Sequence, residues 1–257
     1  MRHLILAFAT ALAATSPVPA TEVDIELVLA VDTSLSMDPD ELLLQREGYA
    51  QALEHPAFLA GIGSGPTGKI AITYFDWGGS QQNLVLPWTI LETEADIRAA
   101  ANHLRNAPVR NFRGTSISDA ILIGMRYIEE NDLEGLRKVI DISGDGPNNE
   151  GIPVTRARDM AAAKGIEING LPFMIKEPGG WFNIADLDLY YEDCVITGPS
   201  AFVMPVFQPE LIVGAIVRKL VLEIAGVRPQ ARAEIQEAAA SDCLIGEKLR
   251  RQRFGGP

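Results

Sequence analysis

The sequence predicts an α/β domain: a doubly wound, mostly parallel sheet with one antiparallel edge strand and helices on both faces. Three observations predict it. Strand-like and helix-like patterns alternate along the chain, as they do when a parallel sheet lies between helical layers. The segment Val23 to Val31 (VDIELVLAV) is a nearly continuous apolar run, the mark of a strand covered on both faces. Lys69 to Phe75 and Asn83 to Trp88 flank a Gly78-Gly79 turn, so one hairpin supplies the antiparallel edge.

Each element has its own signal. After the first strand, Asp38-Pro39-Asp40-Glu41 starts a helix: Asp38 caps, Pro39 suits the first turn, and Glu41 closes a capping box. That helix runs to about His55, where Pro56 ends it. Beyond the hairpin, Thr93 and Asp96 stand in capping-box spacing before a helix to Asn106. Ser116 to Glu130 is helical, with Ile117, Ile121, Gly124 and Ile128 on one face. Lys138 to Ile142 (KVIDI) is a strand, Pro153 to Lys164 a helix stopped by Gly165, and Ile166 to Ile175 an irregular strand region. Glu177 to Asp193 is loop-rich with a short helix around Ala185 to Tyr191. Ala201 to Val206 is a last strand, and Pro209 to Ala225 a last helix stopped by Gly226 and Pro229.

The ends set the domain limits. Residues 1–20 have the pattern of an export signal: Arg2, an apolar run from Leu4 to Ala14, and Val18-Pro19-Ala20 at the cut. The run is too short to cross a bilayer, which takes about 20 apolar residues. Residues 22–226 then form one domain and 227–257 a tail. The expected location is the periplasm or the medium, with no transmembrane segment in the mature chain. The two cysteines, Cys194 and Cys243, lie in the exported part, where an oxidising compartment favours a disulfide over two separate buried thiols. Such a bond ties the tail back onto the body. The chain carries 22 basic and 34 acidic residues, net −12, which argues against a nucleic-acid partner.

Ligands of such sheets bind beyond the carboxyl ends of the strands. Three segments meet there: Asp32-Thr33-Ser34-Leu35-Ser36 after the first strand, Arg113-Gly114-Thr115-Ser116 before a helix, and Ser143-Gly144-Asp145-Gly146 after KVIDI. Alternation along an extended loop puts Asp32, Ser34 and Ser36 on one face. Together with Thr115 and Asp145 they supply two carboxylates and three hydroxyls, with no convergent His or Cys. That is a donor set for a hard divalent cation, Mg²⁺ first, with Mn²⁺ or Ca²⁺ as alternatives, rather than zinc. Two carboxylates neutralise the ion, and five protein groups leave room for a carboxylate from another molecule.

DTSLS, RGTS and ISGDG, in this order and on these elements, resemble the metal-ion-dependent adhesion site of the von Willebrand factor A family. The family pattern, Asp-x-Ser-x-Ser, a distant Thr and then an Asp in a Ser-Asp-Gly-like turn, falls on Asp32, Ser34, Ser36, Thr115 and Asp145. The likeness extends from about Val23 to Ala225, and includes a group of exported bacterial proteins that carry this domain. Here the turn is Ser-Gly-Asp-Gly, with Gly144 inserted. The resemblance implies a cation-dependent protein-binding module that captures an acidic side chain of a partner.

Other readings compete. A metal-dependent periplasmic hydrolase is the alternative, but it lacks a general base, since His3, His55 and His103 lie away from the site. Gly63 to Lys69 (GSGPTGK) has phosphate-loop spacing, yet Ile70 stands where Ser or Thr should hold magnesium, and a strand follows. Asp38 and Ser116 have capping as their first role. Trp77 and Trp181, in Gly-flanked loops, are candidates for an exposed partner rim at the metal-bearing edge, with packing as loop anchors the other possibility.

Overall fold

A computed structural model describes residues 20–176, 183–226 and 240–255. Its centre is β1 (Thr21–Asp32), flanked by β2 (Ile70–Gly78) on one side and β4 (Leu133–Gly144) on the other, both parallel to it. Outside these lie β3 (Gln81–Leu91), antiparallel to β2, and β5 (Glu167–Pro172), parallel to β4. The order is β3-β2-β1-β4-β5, a five-stranded sheet with one antiparallel edge.

The period of two in β1 divides the core. Ile25, Leu27, Leu29 and Val31 point to one helical layer, and Val28 and Ala30 to the other. The first layer holds α1 (Pro39–Glu54), α2 (Pro56–Ser64), α3 (Glu94–Asn106) and α7 (Ile212–Ala225), through residues such as Tyr49, Leu53, Phe58, Leu104 and Ile216. The second holds α4 (Ile117–Glu129), α5 (Val154–Ala163), and α6 (Leu187–Tyr190), which runs into a π turn at Tyr191–Val195. Truncating one of these fully buried aliphatics to Ala would cost about 2–5 kcal/mol. At Gly124 an added Cβ would lie 2.9 Å from Ile140 Cδ1, so the glycine sets how closely α4 approaches β4.

Local signals behave as their chemistry requires. The Asp38 N–H donates to Glu41 Oε2 at 2.9 Å at the start of α1. Thr93 Oγ1 accepts from the Asp96 N–H, and Ser116 Oγ from the Asp119 N–H. Gly226, with φ of 62°, closes α7 in the left-handed region that favours glycine.

Three expectations need correcting. Pro56 ends α1 but also occupies the first turn of a second helix, α2, with His55 Nδ1 accepting the Ala57 N–H as its cap. The Gly63–Lys69 segment is therefore part helix and part fixed turn. Its amides at Thr67 and Gly68 donate to the Asp24 carboxylate at 2.8 and 3.1 Å, so an internal anion takes the place a phosphate would need. Ala201 to Val206 forms no sixth strand. It lies beside β5 with single bridges at Gly170–Val203 and Phe173–Val206, bonded through the Phe202 and Val206 carbonyls. The helix expected from Pro209 begins at Ile212, after a 3-10 turn at Pro209–Leu211.

Cys194 and Cys243 form a disulfide, with Cα atoms 5.5 Å apart, and α8 (Ile245–Phe254) follows it. Among the described residues no helix is long and apolar enough to cross a membrane. The expected export signal lies outside the described residues apart from Ala20.

Candidate metal centre

β1 ends at Asp32, and the chain beyond it is held between two neighbours. Thr33 N–H donates to Trp77 O at the end of β2, and Leu35 N–H to Phe112 O, both at 2.9 Å; the Thr33 carbonyl accepts from the Phe112 N–H. Gly78 allows this approach, since a Cβ there would fall 2.6 Å from Phe112 Cβ. Gly79, with φ of +52°, turns the β2–β3 hairpin and donates its N–H to Gly114 O at 2.8 Å. The loops carrying Ser34 and Thr115 therefore run side by side.

Four of the five expected residues form one hydrogen-bonded chain. Asp32 Oδ1 accepts the Ser34 N–H at 2.7 Å. The Ser34 and Ser36 hydroxyls share a bond of 2.7 Å, and Ser36 Oγ donates to Asp145 Oδ1 at 2.6 Å. Thr115 stands beside them, its N–H on Asn149 Oδ1 and its carbonyl accepting the Asn149 and Glu150 N–H groups. Among the described residues no hydrogen bond links its side chain to the other four. The inserted Gly144 has a physical reason. A Cβ there would lie 3.0 Å from Asp32 Oδ2 and 2.9 Å from Tyr191 Oη, so only glycine lets the end of β4 come this close.

The electrostatics are those of a site short of positive charge. Asp32 is fully buried, and its Oδ2 has no hydrogen-bond partner. Burial, with the nearby Asp145 charge second, pushes its carboxyl up to about 8. Burial also raises Asp145, against the opposing pull of the Ser36 bond and the Lys176 charge. An ionised carboxylate buried without a partner is strongly unfavourable, and a bound cation removes the penalty. The orphaned Asp32 oxygen, the second carboxylate and the serine hydroxyls around them fit a hard divalent ion. Among the described residues no three His, Cys, Asp or Glu gather into a metal-holding group, so the donors on offer are two carboxylates plus hydroxyls.

Several residues at the site escaped the sequence reading. Lys176 Nζ contacts Ser36 O and lies 3.2 Å from Glu41 Oε2, 3.5 Å from Asp145 Oδ2 and 3.9 Å from Asp38 Oδ2. Burial works the other way, yet the Asp145 and Glu41 carboxylates hold this ammonium above its ordinary value. Gln45 fixes the floor, donating to Asp32 O at 3.1 Å and accepting from Ser143 Oγ at 2.9 Å. Asn148 Oδ1 accepts the Ser118 N–H. Behind the Asn148–Glu150 loop, α8 packs Gly246 against Asn148 O, Glu247 accepts from Asn148 Nδ2 at 2.8 Å, and Arg250 pairs with Glu150 at 2.8 Å. One available signal was position: Lys176 lies four residues past β5, at the same carboxyl edge of the sheet.

The rim expectation fails for Trp77. Its side chain is 1 % exposed, on the same face of β2 as Phe75, packed in the layer with α4. It is a core residue. Trp181 lies outside the described residues.

Comparison with known proteins places the fold. A von Willebrand factor type A protein from Catenulispora acidiphila superposes with a TM-score of 0.56 at 14% identity, covering 79% of this chain and 43% of that one. Proximal thread matrix protein 1 from the mussel byssus, in a structure described as having a zinc-occupied MIDAS motif, gives 0.55 at 15% identity, covering 81% and 50%. The pilus adhesin SpaC from Lactobacillus rhamnosus GG, in an open conformation, gives 0.54 at 10% identity, covering 80% and 31%. This chain thus spans half the length of these proteins or less, and shares with them the von Willebrand factor A fold. No curated protein matches in sequence. A family model described as "Protein of unknown function (DUF1194)" matches residues 22–228.

Proposed function

We propose a function from one premise: the chain belongs to the family described as "Protein of unknown function (DUF1194)" and has the von Willebrand factor A fold. It is a divalent-cation-dependent protein-binding module of the adhesion type, not an enzyme. Asp32, Ser34, Ser36, Thr115 and Asp145 hold the ion, Mg²⁺ first, with Mn²⁺ or Ca²⁺ as alternatives, directly or through water. When bound, the ion would supply the positive charge that holds the carboxylate of a partner protein at this edge. The observation that carries this reading is the Asp32 carboxylate, fully buried with one oxygen unpartnered beside a second buried acid. The pilus adhesin and the zinc-bearing byssus protein among the structural neighbours support it by analogy of fold.

The module covers residues 22–226, and 227–257 is a tail tied back by the Cys194–Cys243 bond. That disulfide fits an extracytoplasmic location; a periplasmic or secreted protein, released from a signal at residues 1–20, is the finer reading.

A thermal melt tests the metal site. The full chain is melted in EDTA and with millimolar Mg²⁺, Mn²⁺ or Ca²⁺, beside Asp145→Ala. A ligand of the folded state at a hundred times its dissociation constant adds about 2.7 kcal/mol. A rise in midpoint that Asp145→Ala abolishes supports the site, and no shift with any of the three ions overturns it.

A further inference from the structure

A cavity of about 240 Å³ opens beside Asp145 and is the feature that the metal site alone does not explain. Glu41, Asp145 and Lys176 line it on the side of the metal loops. Phe173, Ile184, Leu187 and Phe207 line the rest. These elements meet for a structural reason. Phe173 continues from β5 and is bridged to Val206, which places Phe207 at the mouth, 47 % exposed, while Leu187 belongs to α6. Phe207 is thus a half-exposed aromatic in the wall of the same cavity that Asp145 lines.

We propose that this cavity is the specificity pocket of the metal site, receiving an aromatic or branched aliphatic side chain of the partner residue next to the captured carboxylate. The inference rests on the carboxylate capture proposed above and adds the chemistry of the neighbouring residue. Two observations support this occupant. First, the size fits: apolar cavities on the order of 150 Å³ accept a benzene ring. Second, the charge fits: Asp145 joins the pocket to the cation, and the Lys176 ammonium in the shared wall meets an anionic group and repels a cationic one. An acidic residue flanked by apolar ones satisfies both ends; an acidic run or a basic flank satisfies only one.

The test uses two capped tripeptides, acetyl-Phe-Asp-Phe-amide and acetyl-Ala-Asp-Ala-amide, titrated calorimetrically into the full chain in Mg²⁺. The Phe peptide is expected to bind about tenfold tighter, from burial of one ring in part. Ala185→Trp, at an exposed position in the cavity wall, fills the pocket while leaving every residue of the metal site unsubstituted. It should erase the preference and leave the Mg²⁺-dependent rise in melting midpoint intact, and Phe207→Ala should weaken the preference. Equal affinities in protein that still shows the Mg²⁺ shift overturn the pocket alone, as does a preference that survives Ala185→Trp. Absence of the Mg²⁺ shift in the unaltered chain overturns the capture reading, and the pocket with it.

Discussion

Replacing Lys176 by Met separates two roles that one ammonium plays, because its effect on stability should change sign with the metal. In EDTA the side chain balances Glu41, Asp145 and Asp38 at 3.2, 3.5 and 3.9 Å, and is 27 % exposed. Partly exposed pairs of this kind are worth about 0.2–1 kcal/mol each, so their loss costs about 1–2 kcal/mol in all. For a domain of this size that lowers the midpoint by about 2–4 °C per kcal/mol. Met keeps the apolar stem, so packing is preserved. With a divalent ion bound, the same ammonium is a like charge beside a ligand carboxylate. Removing it should tighten ion binding about tenfold, which at saturation returns about 1.4 kcal/mol. Lys176→Met should therefore melt below the unaltered chain in EDTA and draw level with it or pass it in saturating Mg²⁺. Parallel melting differences in both conditions, or weaker Mg²⁺ binding by calorimetry, would refute the competition between lysine and ion.

Other outcomes follow from the same structure. In EDTA, Asp32 and Asp141 have carboxyls raised by burial to about 8 and about 7, so the folded state binds more protons than the unfolded one above pH 4, and stability should fall as pH rises from about 4 to 8. Each such group contributes up to about 1.4 kcal/mol per pH unit; urea unfolding across this range should show a shallower fall in Asp141→Asn, and an identical fall would count against the shift. The Cys194–Cys243 bond closes a separation of 49 residues, worth about 4 kcal/mol in the chain-entropy model, so the Cys194→Ser, Cys243→Ser double variant should lose stability on that scale and exchange amides faster in Asn148–Glu150. Unchanged exchange there would show that α8 does not brace the loop. Gly144→Ala should cost about 1–3 kcal/mol and weaken the Mg²⁺ shift, because the new methyl presses on Asp32 Oδ2 and Tyr191 Oη; a normal melt in both EDTA and Mg²⁺ would show that β4 yields instead.

What the sequence made legible was what local chemistry controls. The apolar run of β1, the caps of α3 and α4, and the αL stop after α7 each depend on neighbours in the chain, and the fold class follows from their alternation. The rule that parallel strands end together places DTSLS and SGDG at one edge, and RGTS joins them because α4 leads into the start of β4 from the opposite edge and so begins at theirs. The misses come from distance or from strand length. β2 continues to Gly78, three residues beyond the apolar run that ends at Phe75; in the period-two register Trp77 shares the face of Phe75 and is buried with it. Ala201–Val206 has strand-like residues but follows β5 through isolated bridges. Glu41 reads locally as a capping residue and is one, yet it also faces Lys176, which is far away in sequence; no periodicity carries that information.

The charge pattern of the molecule separates folding from binding. Other buried acids have a basic partner: Arg46 Nη2 donates to both Asp76 carboxylate oxygens at 2.8 and 3.0 Å, and Lys219 lies between Asp141 and Glu223 beneath α7. Asp32 breaks this rule. It is as buried as they are, and among the described residues the Lys176 ammonium reaches Asp145, Glu41 and Asp38 rather than Asp32 itself. A chain able to place arginine and lysine against three other buried acids had the means to neutralise this one or replace it by a neutral residue. The surrounding structure instead holds the uncompensated carboxylate in place, through Gln45 on its carbonyl, Gly144 against its oxygen and α8 behind the neighbouring loop. A buried acid left without a basic partner, on neighbours that fix its position, is the arrangement the proposed ion site requires, and filling that site from solution would supply the missing charge.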